Sequence, residues 1–223
     1  MGFNYNKGIV SPPPWRPDIL GEADLVEEIA RVSSLTKLRG VPLPKLKKNK
    51  TSSTLTPIQK RESVIRREIA SLGYNECVTY SFVDKKSALI FGGGSDQTKL
   101  ENPISSDMSH MRPSLLPGLL QAASRNQARG VLDMSLFEIG PVFHGGEPDD
   151  QEMLATGILI GHTNSRDVHG ERRPVDPFDS KADVEAVLKS IGCPTKLMIL
   201  RDVNTWWHPG RSGKLSLGPK NVL

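Results

Sequence analysis

The segment of residues 55–82 constrains the fold most, because it predicts a capped helix that leads directly into a strand. Thr56 can cap the helix, Pro57 suits its first position and Gln59 can complete a capping box. An apolar stripe with helical spacing runs up to Gly73, a residue type that commonly ends helices: Ile58, Ile65, Ile69 and Leu72. Beyond the glycine, three apolar residues alternate with polar ones, as in a half-buried strand: Val78, Tyr80 and Phe82.

The rest of the chain does not alternate strictly between strand and helix. Further helices are predicted at residues 114–126 and 180–190, and a short one after Asp84. Strands are predicted at four places: 135–143, 153–161, 197–200 and 214–217. This order favours an α+β unit with a mostly antiparallel sheet.

The composition is that of an ordinary globular protein, with 37% hydrophobic and 24% charged residues among 223. No apolar run reaches the roughly 18 residues that would span a bilayer, so we expect a cytoplasmic protein with no membrane partner. Cys77 and Cys193 occur in unrelated contexts, which predicts reduced thiols and neither a disulfide nor a zinc site. The net charge of +4 is compatible with a nucleic-acid partner without requiring one.

Four carboxylates cluster near the beginning of the chain: Asp18, Asp24, Glu27 and Glu28. In a helix Asp24, Glu27 and Glu28 share one face over about one turn. The residues between Asp18 and Asp24 are enough for a turn that brings Asp18 back to the helix start. Because no His or Cys lies nearby, such a cluster suits Mg²⁺ or Ca²⁺ rather than zinc.

A plainer interpretation of the same carboxylates stays open at this point. Acidic residues in the first turns of a helix favour the positive end of its dipole. Runs of Asp and Glu on a helix are also typical of a solvated face. Spacing alone does not decide between a cation site and an acidic helix surface.

The residues around the carboxylates resemble a signature of the bacterial phenylalanine–tRNA ligase beta subunit. The matching strings are SPPPWRPDI at residues 11–19 and EADLVEEIAR at residues 22–31. The resemblance implies that Asp18, Asp24, Glu27 and Glu28 are ligands of a structural Mg²⁺ near an alpha subunit. In that interpretation the four carboxylates are not catalytic acids.

The resemblance continues over nearly the whole chain. Further matching strings are LTP, GYNECVTYSF, NPIS, MRPSLLPGLL, LFEIG and HPGRSG, which begin at residues 55, 73, 102, 111, 136 and 208. They imply a class II aminoacyl-tRNA synthetase-like fold, an antiparallel sheet flanked by helices, that has lost its own active site. An active class II enzyme needs an arginine two residues before the glutamate of its second motif, and Leu136 stands two residues before Glu138.

The same resemblance divides the chain and implies that it is an internal fragment. Residues 1–40 would end a small, metal-bearing, winged-helix-like α/β module. Residues 41–54 would form a linker whose lysines are either solvated or in contact with tRNA phosphates: Lys45, Lys47, Lys48 and Lys50. Residues 55–223 would form the catalytically inactive synthetase-like domain, incomplete at its C-terminus.

The partners follow from the resemblance as well. It implies a heterotetramer of two alpha and two beta subunits, in which ATP is bound on alpha and phenylalanine is joined to tRNA(Phe). This chain would contribute an architectural surface and the Mg²⁺ site, with no catalytic residue of its own.

The adjacent side chains of Trp206 and Trp207 could stack on a nucleic-acid base, but two neighbouring indoles favour packing in a core or a subunit contact.

Two other function classes stay open. A stand-alone basic domain would bind tRNA or DNA without a ligase partner. A Mg²⁺-dependent phosphoryl-transfer enzyme would use the four carboxylates directly, and it would need phosphate-binding arginines near them. Only Arg16 and Arg31 are candidates for that role.

Overall fold

The computed structural model describes five parts of the chain: residues 1–43, 54–164, 168–170, 172–194 and 196–218. The chain divides into two compact units, Met1–Ser52 and Ser53–Leu223. Most of the predicted linker, with its four lysines, lies outside the described residues. Among the described helices, none combines the length and apolar character that crossing a bilayer requires.

The first unit consists of a β-hairpin followed by a helix. Strands β1 (Asn4–Asn6) and β2 (Ile9–Ser11) pair antiparallel. Lys7 and Gly8 join them with φ values of 46° and 88°, the left-handed conformation that a tight two-residue hairpin turn requires. Helix α1 (Glu22–Ser33) follows.

The second unit begins with the helix that the sequence predicts most clearly. Helix α2 spans Pro57–Ser71, and the capping box is present as expected. Thr56 Oγ1 accepts a hydrogen bond from the Gln59 amide at 3.2 Å, and Gln59 Oε1 accepts one from the Thr56 amide at 2.9 Å. The chain leaves the helix through Gly73, whose φ of 92° suits glycine.

A three-stranded sheet lies at the centre of the second unit. Strand β3 (Asn75–Glu76) pairs parallel with one edge of β6 (Met134–Phe143), and β7 (Gln151–Ile160) pairs antiparallel with the other edge. Helix α4 (Leu116–Gln127) packs on this sheet. The core residues at that contact are Leu119, Ala122, Ala123, Met134 and Leu136. The predicted helix at 114–126 and the strands at 135–143 and 153–161 are therefore confirmed to within about two residues at each end, the usual uncertainty of such boundaries.

The other described α-helices and strands of this unit are two helices and two pairs of short strands. They are β4 (Phe82–Val83), α3 (Lys85–Ile90), β5 (His110–Met111), α5 (Pro177–Ser190), β8 (Met198–Leu200) and β9 (Lys214–Ser216). β4 pairs antiparallel with β5, and β8 pairs antiparallel with β9. Among the described strands the pairs are antiparallel except β3 with β6, so the unit is a mixed α/β arrangement of small sheets rather than one antiparallel sheet.

The single strand predicted at residues 77–82 is not formed: this part of the chain contains two short strands, Asn75–Glu76 and Phe82–Val83. Phe82 is partly buried as predicted, but the other two apolar residues of the pattern do not face inward. Val78 is 93% exposed and Tyr80 is 71% exposed, whereas Thr79 between them is half-buried. Thr79 faces inward because its hydroxyl donates to Oε2 of the buried Glu138 at 2.7 Å. A polar partner deep in the fold therefore overrides the alternation of apolar residues.

Candidate metal centre

Asp18 and Glu28 are brought together by a guanidinium group. Arg16 Nη2 donates to Oδ2 of Asp18 at 2.6 Å and to Oε1 of Glu28 at 2.8 Å. Arg16 Nε also donates to Oδ1 of Asp18 at 2.9 Å, so the ion pair between Arg16 and Asp18 is bidentate. The turn between Pro17 and helix α1 therefore does return Asp18 to the helix, as its spacing predicts.

Glu28 is the most enclosed of the four carboxylates. Its side chain is 9% exposed, and its second oxygen, Oε2, accepts from Arg31 Nη2 at 2.6 Å. The hydrogen bond from Arg16, the larger cause, and the hydrogen bond from Arg31 together lower the pKa of Glu28 to about 2. The hydrogen bond from Arg16 also lowers the pKa of Asp18. Both side chains are therefore carboxylates at neutral pH.

Asp24 and Glu27 have different surroundings. Asp24 Oδ2 accepts from the backbone amides of Leu20 and Gly21 at 2.9 and 2.8 Å, so this carboxylate satisfies the amides at the start of α1. Glu27 is exposed. The plainer role considered above, an acidic residue at a helix start, thus describes Asp24 well in this structure.

The four residues offer the right donor atoms for a hard cation, but their present positions do not converge on one point. In the parts of the chain that the structure covers, no three His, Cys, Asp or Glu side chains are placed to hold a metal ion. The positive charge that lies between Asp18 and Glu28 is the guanidinium group of Arg16. As placed, the residues do not fit Mg²⁺, whose oxygens must surround it at about 2.0–2.1 Å. The magnesium site stays a prediction.

The second unit contains a buried polar network that no sequence pattern predicted. Arg112 Nη1 donates to Oε1 of Glu138 at 2.7 Å, and both side chains are 3% exposed. Arg112 also donates to Thr79 Oγ1 at 3.0 Å and, through Nε, to the carbonyl of Pro141 at 2.9 Å. Leu136, which stands two residues before Glu138, is 8% exposed and belongs to the core. The charge of Glu138 is therefore compensated by Arg112 inside the fold, and the carboxylate is not exposed to a ligand.

Trp206 packs within the second unit. Its ring meets Phe91 edge to face, with ring centroids 5.9 Å apart. Gly92 lies beside the same indole with a φ of 86°, a backbone conformation that suits glycine. Packing, which the sequence favours over base stacking, is what the structure has for Trp206. Trp207 is 46% exposed.

Comparison with known protein families covers both units. Residues 43–222 match the family described as "Phenylalanyl tRNA synthetase beta chain CLM domain", and residues 1–34 match the "tRNA synthetase B5 domain". The chain is 60% identical over its whole length to phenylalanine–tRNA ligase beta subunits of Ruegeria pomeroyi and of Cereibacter sphaeroides. It is 47% identical to that of Bartonella henselae. The chain spans 28%, 28% and 29% of the length of these relatives, respectively.

The fold of the chain is also similar to solved structures. A crystal structure of pyrrolysyl-tRNA synthetase from Desulfitobacterium hafniense superposes with a TM-score of 0.51 at 14% identity, over 73% of this chain and 56% of that one. At so low an identity the likeness concerns the fold alone, and the structures that the chain resembles are class II tRNA synthetases. With the family match and the full-length similarity, it follows that the chain belongs to the phenylalanine–tRNA ligase beta subunit family.

Proposed function

We propose that this chain is an architectural part of a phenylalanine–tRNA ligase beta subunit, which acts together with a catalytic alpha subunit. The observation that carries this proposal is the 60% identity over all 223 residues to proteins of that name. The assembled cytoplasmic enzyme would contain two alpha and two beta subunits. It would use ATP bound on alpha to join phenylalanine to tRNA(Phe).

The buried network supports an architectural role for the second unit. The charges of Arg112 and Glu138 compensate each other in an ion pair. Arg112 also donates hydrogen bonds to Thr79 and to a backbone carbonyl. Groups committed in this way are not available to bind a nucleotide, because each lost contact would leave a buried charge unpaired. The chemistry would therefore take place on the partner subunit.

The four carboxylates are proposed to hold a structural Mg²⁺ in the assembled enzyme. This proposal is supported by the match to the family signature and by the presence of all four oxygen-bearing side chains: Asp18, Asp24, Glu27 and Glu28. When bound, the ion would supply positive charge that neutralises the repulsion among the carboxylates and ties the turn after Pro17 to α1. It would take no part in the reaction.

Co-expression of the full-length beta subunit with its alpha subunit tests this function. We expect co-purification and phenylalanine-dependent charging of tRNA(Phe), and we expect Asp24→Ala/Glu28→Ala to lower both the bound Mg²⁺ and the yield of complex. Glu22→Ala, which removes another acidic residue from the first turn of α1, is the matched control. Unchanged metal content and assembly in the double variant would remove the metal role.

The same experiment addresses the alternatives. Affinity of the 223-residue chain for tRNA or DNA without alpha would favour an independent binding module. Hydrolysis of ATP or of a phosphoester by the chain alone would favour a phosphoryl-transfer enzyme. Both outcomes contradict an architectural subunit.

A further inference from the structure

The two adjacent indoles of the second unit have different surroundings. Trp206 packs against Phe91, with the ring centroids 5.9 Å apart. Trp207 is 46% exposed, although an indole is a large apolar surface that proteins mostly bury. Packing inside the unit therefore explains Trp206, whereas the ring of Trp207 is available to a ligand.

Trp207 lies in a loop that is closed at its base. The loop, residues 201–213, connects β8 to β9, and these two strands pair antiparallel. Compact surface loops of this length whose ends lie close together often carry function. The contact of Trp206 with Phe91 ties the loop to the rest of the unit, so the neighbouring Trp207 is held at the surface.

Hydrogen bonds within the loop fix the backbone around Trp207. The Trp207 amide donates to the carbonyl of Asn204 at 3.0 Å. His208 Nδ1 accepts from the Gly210 amide at 3.1 Å, and the His208 carbonyl accepts from the Arg211 amide at 3.1 Å. Because these turns are already formed, little conformational entropy would be lost when a ligand binds to the indole.

The loop and the residues at its two ends are basic. Positions 196–214 contain four basic residues and one acidic residue: Lys196, Arg201, Arg211, Lys214 and Asp202. Arg201 and Arg211 are exposed, and neither forms an ion pair with a carboxylate in the part of the chain that the structure describes. An exposed indole can bind a nucleic-acid base or a protein surface. The unpaired arginines favour nucleic acid, because every nucleotide brings a phosphate.

We propose that Trp207 is a stacking surface for an unpaired base of tRNA in the assembled enzyme, and that Arg201 and Arg211 contact the phosphates beside this base. This inference rests on the proposed function, which supplies the tRNA, and adds a contact between this chain and the RNA. One stacked base and two phosphate contacts are too few for the isolated chain to bind RNA tightly. The contact is therefore compatible with an architectural subunit.

The test measures the affinity for tRNA(Phe) of the full-length beta subunit co-purified with its alpha partner. Trp207→Ala should weaken binding about tenfold, because a stacked base loses its aromatic surface. Trp207→Phe keeps a ring for stacking, so we expect a smaller loss. Phe178→Ala is the matched control, because Phe178 is an exposed aromatic residue of α5 in the same unit. It should leave the affinity unchanged.

The salt dependence of the same binding tests the two arginines. Arg201→Gln/Arg211→Gln should lower the slope of log affinity against log salt concentration by about 1.4, because each phosphate contact to a single strand contributes about 0.7. Trp207→Ala should leave this slope unchanged, because stacking releases no counterions. The control, Arg125→Gln/Arg129→Gln, removes two exposed charges near the end of α4 and should leave slope and affinity unchanged.

The outcomes separate this inference from the function on which it rests. Unchanged tRNA(Phe) affinity in Trp207→Ala, with normal assembly and charging, overturns the inference and leaves the proposed function standing. Loss of co-purification with alpha in Trp207→Ala identifies the indole as a subunit contact and also overturns the inference. If the unaltered beta subunit neither assembles with alpha nor supports charging, both proposals fail. Weaker binding in Trp207→Ala, together with a smaller salt slope in the arginine variant alone, supports the contact.

Discussion

The buried pair of Arg112 and Glu138 allows a quantitative prediction about the second unit. Both side chains are 3% exposed, and the closest contact between them is 2.7 Å. Glu138→Gln keeps the size of the side chain and removes its charge, so Arg112 keeps its positive charge in a place that water does not reach. The uncompensated guanidinium, rather than a lost contact, is the source of the expected destabilisation.

The expected magnitude follows from that burial. Removing one partner of a buried pair costs about 3–5 kcal/mol. At roughly 2–4 °C per kcal/mol for a domain of this size, Tm should fall by about 6–20 °C. Replacing both partners, as in Arg112→Met/Glu138→Leu, should cost less than Glu138→Gln alone, because no charge is left unpaired.

Urea and thermal unfolding of the 223-residue chain, followed by circular dichroism, measure these differences. The control is Glu185→Gln, the same chemical change in the exposed pair of Lys181 and Glu185, whose charged atoms are 3.5 Å apart. It should change the free energy of unfolding by less than about 0.5 kcal/mol. A loss below about 1 kcal/mol for Glu138→Gln would refute the account of the buried network.

Three further predictions concern single positions. Thr56→Ala removes the hydroxyl that caps α2 and should lower the free energy of unfolding by about 1 kcal/mol in urea titrations, and no change would mean that the cap is not formed. Thr79→Val deprives Glu138 of a hydroxyl donor and should cost about 1–3 kcal/mol by the same assay, although it adds apolar surface. Because the pKa of Glu28 is about 2 rather than its ordinary 4.5, its contribution to stability should be fully present above pH 4.5 and be lost as the pH falls towards 2. Arg16→Met should move that pKa upward in a carboxyl NMR titration, and an unmoved pKa would show that the ion pair is absent.

Local patterns in the sequence predicted local structure well. The capping box of Thr56 and Gln59 and the glycine stop at Gly73 involve residues within a few positions of one another, and each is present. Their geometry is decided by backbone hydrogen bonds inside one helix. Long-range contacts were not needed to find them.

The failures arise where distant residues decide the outcome. Val78 and Tyr80 face solvent because Thr79 bonds Glu138, which lies 59 residues further along the chain. Arg16 and Glu28 are 12 residues apart and meet only through the turn that precedes α1. Spacing within α1 predicted which carboxylates share a helix face, but not that an arginine would reach two of the four.

The family signature identified the candidate site where spacing left alternatives open. The carboxylates at positions 18, 24, 27 and 28 match it in type and order. The signature does not contain the contacts that Arg16 makes with Asp18 and Glu28, because these contacts depend on how the turn before α1 folds.

Anomalous diffraction from crystals of the assembled alpha–beta enzyme soaked in Mn²⁺ would show directly whether the four carboxylates hold a divalent cation. The proposed metal role predicts an anomalous peak bounded by Asp18, Asp24, Glu27 and Glu28. The absence of a peak at these carboxylates would contradict the structural metal site.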